Sequence, residues 1–331
     1  MDFSHEKNLV RQYIEEFDKA EADSIQAVTE LHFTSDAKIY ACYPFDQEQS
    51  PAALTTSLWQ PLKNNFTALH RRQDVFMAGI NEADGSCWVM SMGHYMGLFD
   101  KAFLKIPPTG KLTMLRYAEF FKVEDNKITA HAVFMDWIAL MKQAGLNPLP
   151  AETGNSFVYP GPMHHNGLLF NQQDPGESDR TLALVNQMVA DLDQLNKSGN
   201  DQCPPELLAK CWSPDMLWYG PAGIGASYTI ERYQQQHQYP FRQGLKDKVF
   251  NGHVCRFAEG EFACFFGWPN LSNTAGGGFL GLPASNIRAD MRVVDVYSRQ
   301  GNKLAENWVF MDIPYWLKQQ GLDVLARTTS I

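Results

Sequence analysis

Two pairs of carboxylates recur in this sequence at one spacing: Glu119 with Asp136, and Asp295 with Asp312, each 17 residues apart. A carboxylate held in apolar surroundings loses hydration, its pKa rises, and it becomes a better base toward a proton next to a carbonyl. Two facing carboxylates also push their pKa values apart, as an acid and base pair requires, and the protonated member can stabilise an enolate oxygen. Plainer readings stand beside these. Asp136 and Asp312 directly precede a helix-like run, where Asp satisfies free backbone amides as an N-cap. Glu119 and Asp295 fit a solvated strand face equally well, although Val293 and Tyr297 make the face of Asp295 rather apolar. Strand alternation directs Phe134 and Phe310 inward, each in its own copy, and points Asp136 and Asp312 each toward the same cavity as the Phe before it.

Histidine is the other candidate for acid and base work. His131 shares a face with Val133 and Met135 and reads as a sheet-surface residue, while His164-His165 sits in a Pro/Gly stretch and reads as loop. Neither the histidines nor the six dispersed cysteines offer a metal-ligand spacing, so no metal is expected. Cys87 and Cys264 lie in apolar runs and read as buried thiols.

Each acid pair belongs to a duplicated frame. Residues 114–146 align with residues 291–322, matching Arg116 to Arg292, Glu119 to Asp295, Lys127 to Lys303, Asp136 to Asp312 and Gly145 to Gly321. Each copy opens with an amphipathic helix (Leu9, Val10, Tyr13, Ile14 and Phe17; Leu182, Val185, Val189 and Leu192), continues through aromatic and β-branched runs, and ends in a short helix stopped by Gly. Asp125-Asn126 and Gly301-Asn302 read as hairpin turns between two such runs. The order predicts an α+β fold repeated in tandem: residues 1–148, a Gly/Pro/Asn-rich linker over 149–177, and residues 178–331.

Length and composition agree with two globular domains: 331 residues, 44% hydrophobic and 20% charged. A net charge of −9 repels phosphate backbones and anionic headgroups, so neither nucleic acid nor a membrane is an expected partner. The charged beginning MDFSHEKNLV and the lack of a long apolar run read as a cytoplasmic protein.

The runs GHYMGLF, IPPTGKL and NKITAHAVFMD in the first copy, with FFGWPNL, GGGFLGLPAS and GNKLAENWVFMD in the second, resemble the SnoaL-like polyketide cyclases of the nuclear transport factor 2-like superfamily. The resemblance covers most of both halves. It implies two cone-shaped modules, each a curved antiparallel sheet wrapped around N-terminal helices, and an intramolecular pseudo-dimer, with a further homodimer open. It also implies acid/base chemistry without metal or cofactor, by an acid at the end of the strand after the hairpin. That position matches Asp136 and Asp312. His94 falls in the pocket-like Gly-His run, and Tyr219, His237, Trp268 and Trp308 are expected to line the second cone along with Phe310. The Arg-x-Asp arrangement of the superfamily's epoxide hydrolases is absent, since Tyr117 and Val293 stand where the Arg would be. Two functions are thus expected: a cyclase-, isomerase- or dehydratase-type enzyme on a small carbonyl compound, or a non-catalytic binder of a small organic molecule.

Overall fold

The computed structural model describes residues 2–199 and 202–329. They form two compact units. The first comprises the chain up to Asn147, Pro160–Gln172 and the segment from Asp323; the second comprises Pro148–Tyr159 and Gln173–Leu322.

The first unit opens with α1 (Ser4–Lys19), which buries Val10, Tyr13, Ile14 and Phe17 on one face, and α2 (Ile25–His32). After β1 (Phe33–Ala41) comes a helical hairpin arm in three pieces: α3 (Pro51–Leu54), a π-helical turn Thr55–Trp59, and α4 (Gln60–Asn65). Pro61 has no N–H to offer a regular helix, and the wider turn ahead of it accommodates that loss. The strands β2 (Phe66–Ile80), β3 (Cys87–Phe99), β4 (Leu112–Glu124) and β5 (Lys127–Met135) follow, and α5 (Trp137–Gln143) closes the unit. The sheet order is β1-β5-β4-β3-β2, with β1 parallel to β5 and the rest antiparallel. Asp125 and Asn126 turn β4 into β5 with φ of 49° and 64°, the left-handed geometry that their short polar side chains tolerate.

The second unit repeats this plan with α6 (Pro175–Lys197), α7 (Pro205–Leu208), β6 (Trp212–Tyr219) and β7 (Ala226–Tyr228). Its arm is α8 (Ile230–Tyr233), a π-helical turn Gln234–Gln238 and α9 (Tyr239–Gly244), again with a proline, Pro240, just after the π turn. Strands β8 (Leu245–Phe250), β9 (Cys255–Glu259), β10 (Phe262–Phe266), β11 (Leu271–Ala275), β12 (Arg288–Met291), β13 (Val293–Gln300) and β14 (Lys303–Met311) precede α10 (Ile313–Gln319). Here the curved sheet is divided, as β7-β6-β14-β13-β10-β9 and β12-β11-β8. The division falls at Gly267-Trp268-Pro269-Asn270: Pro269 cannot donate to a ladder, and a Cβ on Gly267 would lie 2.0 Å from that of Asn270.

The stretch between the repeats is ordered chain. Phe76 of β2 exchanges backbone hydrogen bonds with Gly167 and Leu169, each 2.9 Å, and Asn155 pairs with Ala226 of β7. Gly and Pro there let each half run flat along an edge strand of its own unit. Among the described residues, no helix is long and apolar enough to cross a membrane.

Candidate functional site

β13 and β14 form the floor of a cavity in the second unit. Their register sets Val293 opposite Met311, Asp295 opposite Val309 and Tyr297 opposite Asn307, so all six side chains share one face. Together with Val189 and Leu192 of α6, the π-turn residues His237 and Gln238, and Phe241 and Arg242 of α9, they enclose about 180 Å³. That exceeds the roughly 150 Å³ of an engineered apolar cavity that admits benzene, so a small organic molecule fits.

Asp295 is the carboxylate set into this apolar wall. Its Oδ1 accepts from the Tyr297 hydroxyl at 3.0 Å and from Asn307 Nδ2 at 3.1 Å. No cation lies within ion-pair distance of it among the described residues. Burial therefore prevails over the two hydrogen bonds and pushes its pKa up to about 6. Tyr297, raised by burial and then by the neighbouring Asp295, stays a neutral phenol. His237 stacks on Trp218 at 4.1 Å, and burial followed by the charge of Arg242 lowers it to about 3. His253, stacked on Phe265 at 3.9 Å, is lowered to about 3 by burial and then Arg256. Both imidazoles are neutral at physiological pH, and Nδ1 of His237 has no partner among the described residues.

The matching position in the first unit carries the opposite electrostatics. Glu119 Oε1 accepts from Arg71 at 2.9 Å and from the Tyr95 hydroxyl at 2.6 Å, while Oε2 meets His131 Nε2 at 3.0 Å. Burial pushes Glu119 up, but the Arg71 guanidinium and the hydrogen bonds from His131 and Tyr95 outweigh it, leaving the carboxyl below its ordinary value. Arg71 also reaches Asp18 at 3.3 Å and lies over the rings of Tyr95 and Tyr117. Trp59 packs against Tyr95 and His131. The π turns align the arms so that Gln238 takes the place of Trp59, and the hairpins align so that Asn307 takes the place of His131. Smaller side chains at those two places leave room in the second unit.

Asp136 and Asp312 are both helix caps. Asp136 Oδ1 accepts from Ala139 N at 2.9 Å and Asp312 Oδ1 from Tyr315 N at 3.3 Å; the second oxygen of each lies 3.5 Å from an arginine, Arg116 or Arg292. Neither prolongs its strand: the backbone has turned to φ −89°, ψ 82° at Asp136 and φ −73°, ψ 65° at Asp312, so alternation ceases to govern where they point. The cavity lining includes Asp295 but not Asp312. We expect Asp312→Ala to cost about 0.5–2 kcal/mol more than Asp312→Asn, since Asn caps as well as Asp. Urea unfolding of the two variants measures the difference, and equal midpoints would show that the cap contributes nothing.

The strand phase also relocates the aromatic residues. Because Asn307, Val309 and Met311 face the cavity, Trp308 and Phe310 face away, and Tyr219 goes with them, stacked on Trp308 at 5.5 Å. Trp218, one residue earlier, lines the cavity instead, as does Trp212 at the start of β6. Trp268 also lies outside the lining and stacks on the Arg292 guanidinium at 3.9 Å. In the first unit Phe134 likewise takes the face opposite Glu119 and His131, and His94 is buried against Asp74, Nδ1 to Oδ2, at 3.2 Å. Of the expected lining residues the structure brings His237 to the cavity beside Asp295. Arg242, Asn307 and Gln238 were missed. For Arg242 and Gln238 the signal lay in the register of the arm, which the π turn shifts away from a 3.6-residue period, and for Asn307 in the strand phase that puts it opposite Tyr297. Among the described residues no group of three or more His, Cys, Asp or Glu is placed to hold a metal ion.

Several solved structures are similar to part of this chain. A nuclear transport factor 2-like protein from Burkholderia xenovorans LB400 has 10% identity and a TM-score of 0.34, covering 43% of this chain and 96% of its own. TsrD from Streptomyces laurentii has 22% identity and a TM-score of 0.34, with 42% and 96% covered. A protein assigned as a SnoaL-like polyketide cyclase, from Jannaschia sp. CCS1, has 16% identity and a TM-score of 0.33, with 45% and 96% covered. No protein-family model matches the chain, and no curated protein does.

Proposed function

We propose that the second unit is a catalyst of proton abstraction next to a carbonyl, with Asp295 as general base. The observation that carries this reading is a carboxylate bordering an apolar cavity, with no cationic partner among the described residues and a pKa raised to about 6. Such a group is ionised at neutral pH yet more basic than an ordinary aspartate, as a carbon-acid base needs to be. Tyr297 and Asn307 fix one carboxylate oxygen, which leaves the other for substrate. A neutral imidazole can donate to a developing enolate, and His237 Nδ1, unpartnered among the described residues, is the group suited to that role. Isomerase-, dehydratase- and cyclase-type reactions all share this first step, and the side chains named here supply it.

The first unit supports a different role. Both oxygens of Glu119 are engaged, by Arg71 and Tyr95 on one side and His131 on the other, so it has little capacity as a base. We read that unit as a structural partner, with non-catalytic binding as its second reading.

The test is exchange of α-protons of acetophenone and cyclohexanone in D₂O, followed by proton NMR. The rate is expected to rise with pH through about 6, to vanish in Asp295→Asn and to persist in Asp312→Asn. Exchange that is indifferent to Asp295→Asn overturns Asp295 as the base. A carboxyl that titrates near 6 without any exchange would leave a binding protein.

A further inference from the structure

The cavity holds a second charged group that the proton-abstraction step does not use. Arg242 is 3% exposed and lines the cavity from α9. Its hydrogen-bond partners are neutral: Nε donates to Gln238 Oε1 at 3.2 Å, Nη1 donates to Asn196 Oδ1 at 2.9 Å, and the Cys203 thiol lies beside it. Among the described residues no carboxylate comes within ion-pair distance. Buried cations are normally paired, because an uncompensated charge loses its hydration for nothing in return. Asp295 borders the same cavity but forms no ion pair with Arg242, while the Tyr233 hydroxyl feels both charges. Asp193 at the rim already pairs with Lys197.

The repeat provides an internal comparison. Pro61 and Pro240 align, which places Lys63 of the first unit at the position of Arg242. Lys63 is fully used as a strap: its ammonium donates to the carbonyls of Phe17, Asp18 and Ala20 at the end of α1. Arg242 reaches the end of α6 through Asn196 alone. The exchange of Lys for a planar, five-donor guanidinium in the unit with the open cavity is what recognition of a planar anion requires.

We propose that the natural ligand of this cavity is a small organic acid whose carboxylate sits on Arg242, with its acidic C–H turned toward Asp295. The second half of that statement rests on the proton-abstraction reading; the first does not. The two opposite charges, held apart in one cavity, orient such a molecule end to end.

The test compares matched acids and amides, benzoate with benzamide and phenylacetate with phenylacetamide, by titration calorimetry on the full chain and on Asp295→Asn. Charge-assisted hydrogen bonding predicts that the acids bind at least about 10-fold more tightly than their amides in both proteins. The preference is expected to disappear in Arg242→Gln and to survive in part in Arg242→Lys. Equal affinities, no measurable binding of either acid, or a preference that persists in Arg242→Gln would each overturn the proposal. If Arg242→Gln does not fold, the acid-to-amide ratio of the unsubstituted chain and of Arg242→Lys still decides. A lost preference with Asp295 titrating near 6 removes the anion seat alone, whereas a retained preference with Asp295 titrating as an ordinary aspartate removes the catalytic reading alone.

Discussion

At pH 8 the Asp295→Asn variant is expected to unfold later than the unsubstituted chain even as it loses proton abstraction. The pKa of Asp295 rises from the ordinary 3.8 to about 6 on folding. A group raised in this way contributes its stability below the unfolded value, and that contribution is lost as pH climbs through the folded value. Between pH 4 and 6, therefore, the unfolded chain ionises Asp295 while the native second unit keeps it neutral, and above about pH 6 the native unit carries a charge its surroundings disfavour. Two pKa units correspond to about 3 kcal/mol, an upper bound for the gain, or roughly 6–12 °C for a unit of this size. Asn fits the same space, and its Oδ1 accepts from Tyr297 and Asn307 as the carboxylate does. Below pH 4 the two proteins should be equally stable. Tryptophan-monitored unfolding at pH 3.5, 6 and 8 measures this, and a difference that does not grow with pH would contradict the burial of an unpaired carboxylate. On the role proposed for Asp295, this is the usual opposition between a strained site and a stable fold.

Much of this architecture was legible in the sequence because local chemistry and long-range pattern agree there. The hairpin turn at Asp125-Asn126, the caps at Asp136 and Asp312 and the closing Gly145 and Gly321 each demand a specific residue type, and the duplicated register confirms them twice. Asp295, with Val293 and Tyr297 on its face, was legible for the same reason: alternation holds inside a strand. It failed one residue beyond the strand. The parity of Phe310 and Trp308 was set from Asp312, which the backbone has already turned into a cap, so the inward face was taken one residue out of phase. Arg242 and Gln238 were hidden by different physics. A π turn adds a residue to the helical period, and only the paired π turns at Thr55–Trp59 and Gln234–Gln238 reveal which side chains correspond. Whether a cone is open or filled depends on volume at such positions, and hydrophobic pattern is silent on volume.

The matching substitution in the first unit is expected to have the opposite sign. Glu119→Gln leaves the buried Arg71 with the half-buried Asp18 as its remaining carboxylate, so the roughly 3–5 kcal/mol typical of a buried charge that loses its partner is an upper bound for the loss. The carboxyl of Glu119 is held below its ordinary value, so its contribution is present above the unfolded pKa and fades as pH falls through the lower folded one. The deficit of Glu119→Gln relative to the unsubstituted chain should accordingly be full at pH 7 and shrink in acid, whereas the gain of Asp295→Asn grows with pH. Arg71→Met with Glu119→Gln should restore most of the loss, because it removes the stranded charge and fills the space with apolar surface, while the half-buried Asp18 turns to water. A double-mutant cycle by urea unfolding decides. If the double variant is as unstable as the sum of its parts, the pair is not coupled, and the contrast between a locked carboxylate in one cone and a poised one in the other loses its basis.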